Sequence, residues 1–173
     1  MEATFRGTTL TSSAGGSAAS GVTRSRIAEV CALLNAEDVN YVVVGGSALA
    51  LHGAVRATKD IDILVEPTLE NVTRALRALE GLTFGIAREL DPAEVLRAHL
   101  TVVGDVPRVD LLTLAWSVRY ADAAPRLVWL DVHGVKVPVA DLKTLIWSKQ
   151  TGRLHDAADV ETLERLKELG DGA

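Results

Sequence analysis

The sequence predicts an α+β fold, with a mixed β-sheet, helices packed against it and a helical segment at the C-terminus. Three observations carry this. Apolar runs of strand length occur at Tyr41 to Val44, Asp60 to Val65, Leu100 to Val103, Arg108 to Leu112, Leu127 to Val132 and Val135 to Val139. Other segments repeat apolar residues at helical spacing, first Ile27, Val30, Cys31 and Leu34, then Leu69, Val72, Leu76 and Leu79. Beyond Asp141 strand-type alternation stops, and the chain reads as two helices parted by Gly152.

Residues 1–21 are rich in Ser, Thr, Gly and Ala without sustained periodicity and are expected to form a flexible tail. Residues 22–173 are expected to form one domain. Its first helix starts near Thr23, and the polar stretch from Asn35 to Asn40 leads into the Tyr41 strand. At Gly45-Gly46 the chain can turn without a Cβ penalty, Ser47 is placed to cap a short helix over Ala48 to Leu51, and Gly53 ends it. In the next strand the period of two puts Asp60 and Asp62 on one face and Ile61 and Ile63 on the other. Two like charges side by side disfavour a fold, so this pattern points to a divalent cation between the carboxylates.

Thr68 to Leu79 reads as an amphipathic helix, 81–87 as a short strand, and Asp91-Pro92 as a helix start. Leu100 to Val103 and Arg108 to Leu112 form a hairpin around turn chemistry at 104–107. Its second strand carries a charge, Asp110, between Val109 and Leu111, and Asp105 is the competing carboxylate, within the turn. Ala115 to Ala121 is expected to be a short helix, with Trp116 in the core. His133-Gly134 turns a second hairpin, Asp141 caps a helix reaching about Thr151, and a last helix spans Leu154 to Leu169.

The 173 residues and 48% apolar composition suit a single globular domain. A net charge of -5 argues against a broad electrostatic grip on nucleic acid, which rests on many cationic contacts to phosphate. No apolar run spans a bilayer and no secretory signal opens the chain, so a soluble, cytoplasmic protein without a membrane partner is expected. The lone Cys31 reads as a buried hydrophobe, and no His or Cys pair has zinc-ligand spacing. The glycine turn lacks the third glycine of a dinucleotide-binding loop.

An apolar strand, Gly45-Gly46-Ser47, a short helix and a strand bearing Asp60-Ile61-Asp62 together resemble the polymerase-beta-type nucleotidyltransferase superfamily. Within it, GGSALALHG followed by RATKDIDILV is most similar to the minimal prokaryotic branch related to AbiEii-type toxins. The resemblance implies a nucleotidyltransferase fold and a third acidic residue on the neighbouring strand, which maps to Asp110. It also implies a helix bearing Lys149 that leads to Arg153, Asp156 and Asp159, with Lys149 and Asp156 in the cleft.

On this reading Asp60, Asp62 and Asp110 hold Mg²⁺ (or Mn²⁺), the substrate is an NTP, and an NMP passes to an acceptor hydroxyl. Gly45, Gly46 and Ser47, together with Lys59, Lys149 and Arg153, would face the phosphates. The acceptor implied is RNA, such as a tRNA 3′ end, or a protein, and a toxin role would bring an antitoxin partner. Two alternatives stand beside it: an enzyme modifying a small-molecule antibiotic, and a nucleotide-binding or antitoxin-like protein of the same fold without catalysis.

Overall fold

The computed structural model describes residues 14–54, 58–149 and 154–171, with side chains from 21 onward apart from those of 154–156 and 171. The long helix α1 (Ala14–Ala36) precedes β1 (Tyr41–Val43), α2 (Gly45–Leu51), β2 (Asp60–Val65) and α3 (Leu69–Leu79). There follow α4 (Pro92–Arg97), β3 (Leu100–Val103), β4 (Arg108–Leu112), α5 (Tyr120–Ala123), β5 (Val128–Val132), β6 (Val135–Val139), α6 (Leu142–Ser148) and α7 (Leu154–Asp171). The strands form one mixed sheet in the order β3-β4-β2-β1-β6-β5. β2 runs parallel to β4 and β1 parallel to β6, while the other neighbours are antiparallel.

Alternation decides what each face of this sheet does. Ile61, Ile63 and Val65 of β2 and Val109 and Leu111 of β4 share one face and are buried. Helices α1 and α3 cover that face and touch each other, α1 through Ile27, Val30, Cys31 and Leu34 and α3 through Val72, Ala75, Leu76 and Leu79. On the other face lie Asp60 and Asp62 of β2 and Arg108 and Asp110 of β4. Asn71 of α3, wholly buried, clamps the strand ends: its carbonyl accepts from Asn40 N at 2.8 Å, and its amide donates to Asn40 O and Glu66 O at 2.9 and 3.0 Å. Every one of its polar atoms used in this way is matched, as burial requires.

Asp91 and Asp141 cap the helices that the sequence starts there, accepting from Ala93 N and Thr144 N, and Thr68 caps α3 by accepting from Asn71 N. His133 and Gly134 both have positive φ, as a tight two-residue hairpin turn requires. Cys31 is buried in the core, and burial pushes its thiol up to about 12.

Four local expectations are corrected. α1 begins at Ala14, so 14–21 is helical: Ala14, Ala18 and Ala19 favour extension of a helix already nucleated downstream, against the cost of Gly15, Gly16 and Gly21. The stretch 81–87 holds no strand, since Gly85 sits at φ 62 and starts a short 3₁₀ turn, Ile86–Glu89. At 115–121 there is a tight turn closed by the Ala115–Val118 bridge, with Trp116 at φ 56, and α5 starts only at Tyr120. The Asp141 helix also ends sooner than expected, at Ser148 with Lys149 as its C-cap and not near Thr151; Thr151 and Gly152 themselves lie outside the described residues. Among the described residues no helix is long and apolar enough to cross a membrane.

Candidate functional site

Parallel pairing of β2 with β4 builds the site. The register sets Asp62 beside Asp110 and Asp60 beside Arg108, so three carboxylates and one guanidinium occupy a single patch of the sheet. Asp110, not Asp105, is therefore the third acid of the face. Asp105 is buried at the β3–β4 turn, where its carboxylate accepts from the backbone N–H groups of Phe84, Ile86 and Val106 at 2.9, 3.1 and 2.7 Å.

The glycine turn fits against Asp62. Gly45 has φ +59, and a Cβ there would lie 2.5 Å from Asp62 Oδ2, so any side chain would collide with that carboxylate. The Gly46 N–H donates to the same oxygen at 3.2 Å. Ser47 is not the cap that the sequence suggests. α2 starts three residues earlier, after Val44, which makes no side-chain cap, and the buried Ser47 hydroxyl instead donates to Asp60 O at 3.1 Å and accepts from Asp62 N at 3.4 Å. Thr58 Oγ1 donates to Asp60 O as well, at 2.7 Å. The turn and short helix thus fix the backbone of the Asp-x-Asp strand, and Gly46 restrains the side chain of Asp62.

The electrostatics are unbalanced at Asp62. Its burial, then the charge of Asp110, push its carboxyl from 3.8 to about 6; the Gly46 hydrogen bond and the charge of Lys149 pull the other way, and Asp60 adds to the rise. Arg108, which sequence reasoning passed over, partly offsets the patch. Its Nε lies 3.0 Å from Asp110 Oδ1 and 3.4 Å from Asp60 Oδ1, and its Nη2 lies 3.4 Å from Asp110 Oδ2. The signal available was the period of two itself: Arg108 precedes Asp110 by two residues and must share its face.

Lys149 follows α6 and is buried. Its Nζ pairs with Asp159 Oδ2 of α7 at 2.9 Å and stands 4.9 Å from the centroid of the Trp116 ring, a cation–π distance. Trp116 is thus packed at the core's edge and also serves as a platform for this cation. Asp159 is the α7 carboxylate seen to meet Lys149. It precedes buried Leu163 by four residues and so shares the inward face of α7, which was the sequence signal for it. Arg153 and the side chain of Asp156 lie outside the described residues. Lys59 is exposed just before β2.

By chemistry the donors suit a hard divalent cation: three carboxylates on one face, one of them held in a poorly solvated, like-charged position that a cation would relieve. Among the described residues, however, no three acidic, His or Cys side chains are arranged to hold a metal ion together. Asp110 is engaged by Arg108, and Asp62 by Gly46.

A family model described as "Nucleotidyltransferase of unknown function (DUF6036)" matches residues 25–169. No curated protein matches the chain. Among solved structures, an antigenic nucleotidyltransferase-like protein from Paracoccidioides brasiliensis superposes with a TM-score of 0.55 at 15% identity, covering 85% of this chain and 76% of that one. At that identity the likeness shows the fold, a nucleotidyltransferase-like one.

Proposed function

Since the chain belongs to the nucleotidyltransferase family of unknown function (DUF6036), we propose that it is a metal-dependent enzyme that moves an NMP from an NTP to an acceptor hydroxyl. The observation that carries this is the register pairing of Asp62 with Asp110, with Asp60 on the same face. Asp60, Asp62 and Asp110 would hold Mg²⁺ or Mn²⁺, which supplies charge neutralisation on the triphosphate and lowers the pKa of the attacking hydroxyl. Asp110, less exposed than Asp60 at 14% against 38%, would help to deprotonate the acceptor hydroxyl. Gly45, Gly46 and Ser47 shape the corner on which the phosphates rest. Lys149, with Lys59 and Arg153, offsets charge developing on pyrophosphate.

For the acceptor, the likeness of 45–65 and of the Lys149 segment to AbiEii-type toxins favours RNA, such as a tRNA 3′ end, or a protein. In that setting an antitoxin partner follows, and the cytoplasm is the place of action. One observation favours a compact acceptor instead, of the kind an antibiotic presents. Leu100 and Val102 of edge strand β3 lie exposed on the same face, with Val102 in register with Asp110, so the ground beside the third acid is apolar.

The test is incubation with each labelled NTP and Mg²⁺ or Mn²⁺, offering total RNA, an antibiotic panel and the protein itself. Label should reach one acceptor class with the wild type and none with Asp60→Ala or Asp62→Ala. Transfer that persists in either folded variant defeats the assignment.

A further inference from the structure

The four charged side chains of the β2–β4 face are not all acidic, and the exception sits where a cation would. Arg108 reaches Asp110 through two nitrogens and Asp60 through one, spanning both strands. Its side chain is 45% exposed, with solvent on one flank, so the guanidinium can swing away without disturbing the core. Asp62, by contrast, is held by the Gly46 amide and takes no contact from Arg108 among the hydrogen bonds and ion pairs of the described residues. The face is thus divided: one carboxylate oriented by backbone, and two bound to an internal cation.

Resting on the nucleotidyl-transfer reading, we propose that Arg108 is a built-in competitor for the divalent ion, occupying the Asp60–Asp110 position until it is displaced. The physical argument is exclusion. A guanidinium and a divalent cation cannot both lie within hydrogen-bonding distance of the same two carboxylates without strong repulsion. Ion binding at Asp110 must break the fork between Arg108 and Asp110. Arg108 therefore partly offsets the charge of the apo face, weakens metal binding there and couples completion of the site to its own release. Once released, it is a free cation at the mouth of the site, on the side of exposed Val102.

Removing the charge should tighten metal binding, an outcome opposite to that of damaging a structural residue. The probe is Mn²⁺ alone, titrated into nucleotide-free protein and followed by the electron paramagnetic resonance signal of the unbound ion. Arg108→Gln should bind Mn²⁺ about tenfold more tightly than wild type, as expected for losing one close competing charge. Arg108→Lys, which keeps the charge but loses the two-point contact, should tighten it by a smaller factor, and it serves if the neutral variant does not fold. Affinity equal to or weaker than wild type in a folded Arg108→Gln, or in Arg108→Lys where only that variant folds, overturns the proposal. If wild type binds Mn²⁺ and Asp62→Asn weakens it, yet removing Arg108 does nothing, the competitor falls while the nucleotidyl-transfer reading stands. If neither wild type nor Arg108→Gln binds Mn²⁺, the competitor falls, and the labelled-NTP transfer assay decides the nucleotidyl-transfer reading by itself.

Discussion

Asp105 and Asp110 are five residues apart, one within the β3–β4 turn and the other on the strand that follows it, yet their surroundings are opposites. Burial alone would raise the Asp105 carboxyl, but backbone N–H groups of Phe84, Val106, Ile86 and Gly85 surround it and hold it below the ordinary carboxylate value. Around Asp110 the neighbours are Asp62, Asp60 and the half-exposed Arg108, and the cost shows at Asp62, which burial and then the Asp110 charge raise to about 6. A carboxylate saturated by amides is a fastener, here of the 84–86 turn to the β3–β4 hairpin. Carboxylates left facing one another are a demand for a cation. Burial does not separate the two kinds; the source of the compensating hydrogen bonds does.

The contrast can be broken first at Asp62. Its folded-state value lies above the ordinary 3.8, so the metal-free native state holds the proton more tightly than the unfolded chain. Stability is then greatest below about pH 4 as far as this group is concerned, falls as pH rises towards about 6 and is flat above it. At about 1.4 kcal/mol per pKa unit the fall amounts to at most ~3 kcal/mol. In chelator, the wild-type minus Asp62→Asn difference in urea unfolding free energy should follow that profile; a difference that is flat across this window would contradict it.

A smaller effect is expected at Gly45→Ala. The left-handed backbone costs a non-glycine residue about 1 to 2 kcal/mol, and the new methyl must displace the Asp62 carboxylate. The variant should unfold earlier and show a reduced pH difference at Asp62, because that carboxylate is pushed off Gly46 towards water. A normal pH difference would mean that the glycine does not seat Asp62.

The smallest change is expected at Asp105→Asn. The amide oxygen can still accept from Phe84 and Val106, but its NH₂ meets the Ile86 N–H donor. The melting temperature should drop while Mn²⁺ affinity stays at the wild-type value. A loss of Mn²⁺ affinity would move Asp105 from fastener to site and erase the distinction.

The strand-borne part of the site was readable because a period of two and a charge within an apolar run are local signals. Asp60, Asp62 and Asp110 follow from them, and turn composition around Asp105 sets that residue apart. What sequence did not reveal depends on partners distant in the chain. Arg108 gains its meaning only from the register that places it opposite Asp60. Asp159 gains its role from the inward face of α7, which buried Leu163 marks, and from Lys149 ten residues earlier in the chain. Ser47 has the composition of a cap, but the helix starts at Gly45, where only a glycine fits over Asp62, and its hydroxyl is left to bond β2. At 115–121, helix-compatible residues are overridden by a turn that sets Trp116 against Lys149.

Because Val109 and Leu111 alternate with Asp110 along β4, sliding that strand by one residue would exchange their destinations, burying the acid beside isoleucines and turning a valine onto the acidic face. The oily side of the sheet therefore proofreads the polar side. A molecule that has packed correctly has, by the same act, aligned its acids, and an insertion or deletion of a single residue within β4 should lose both together.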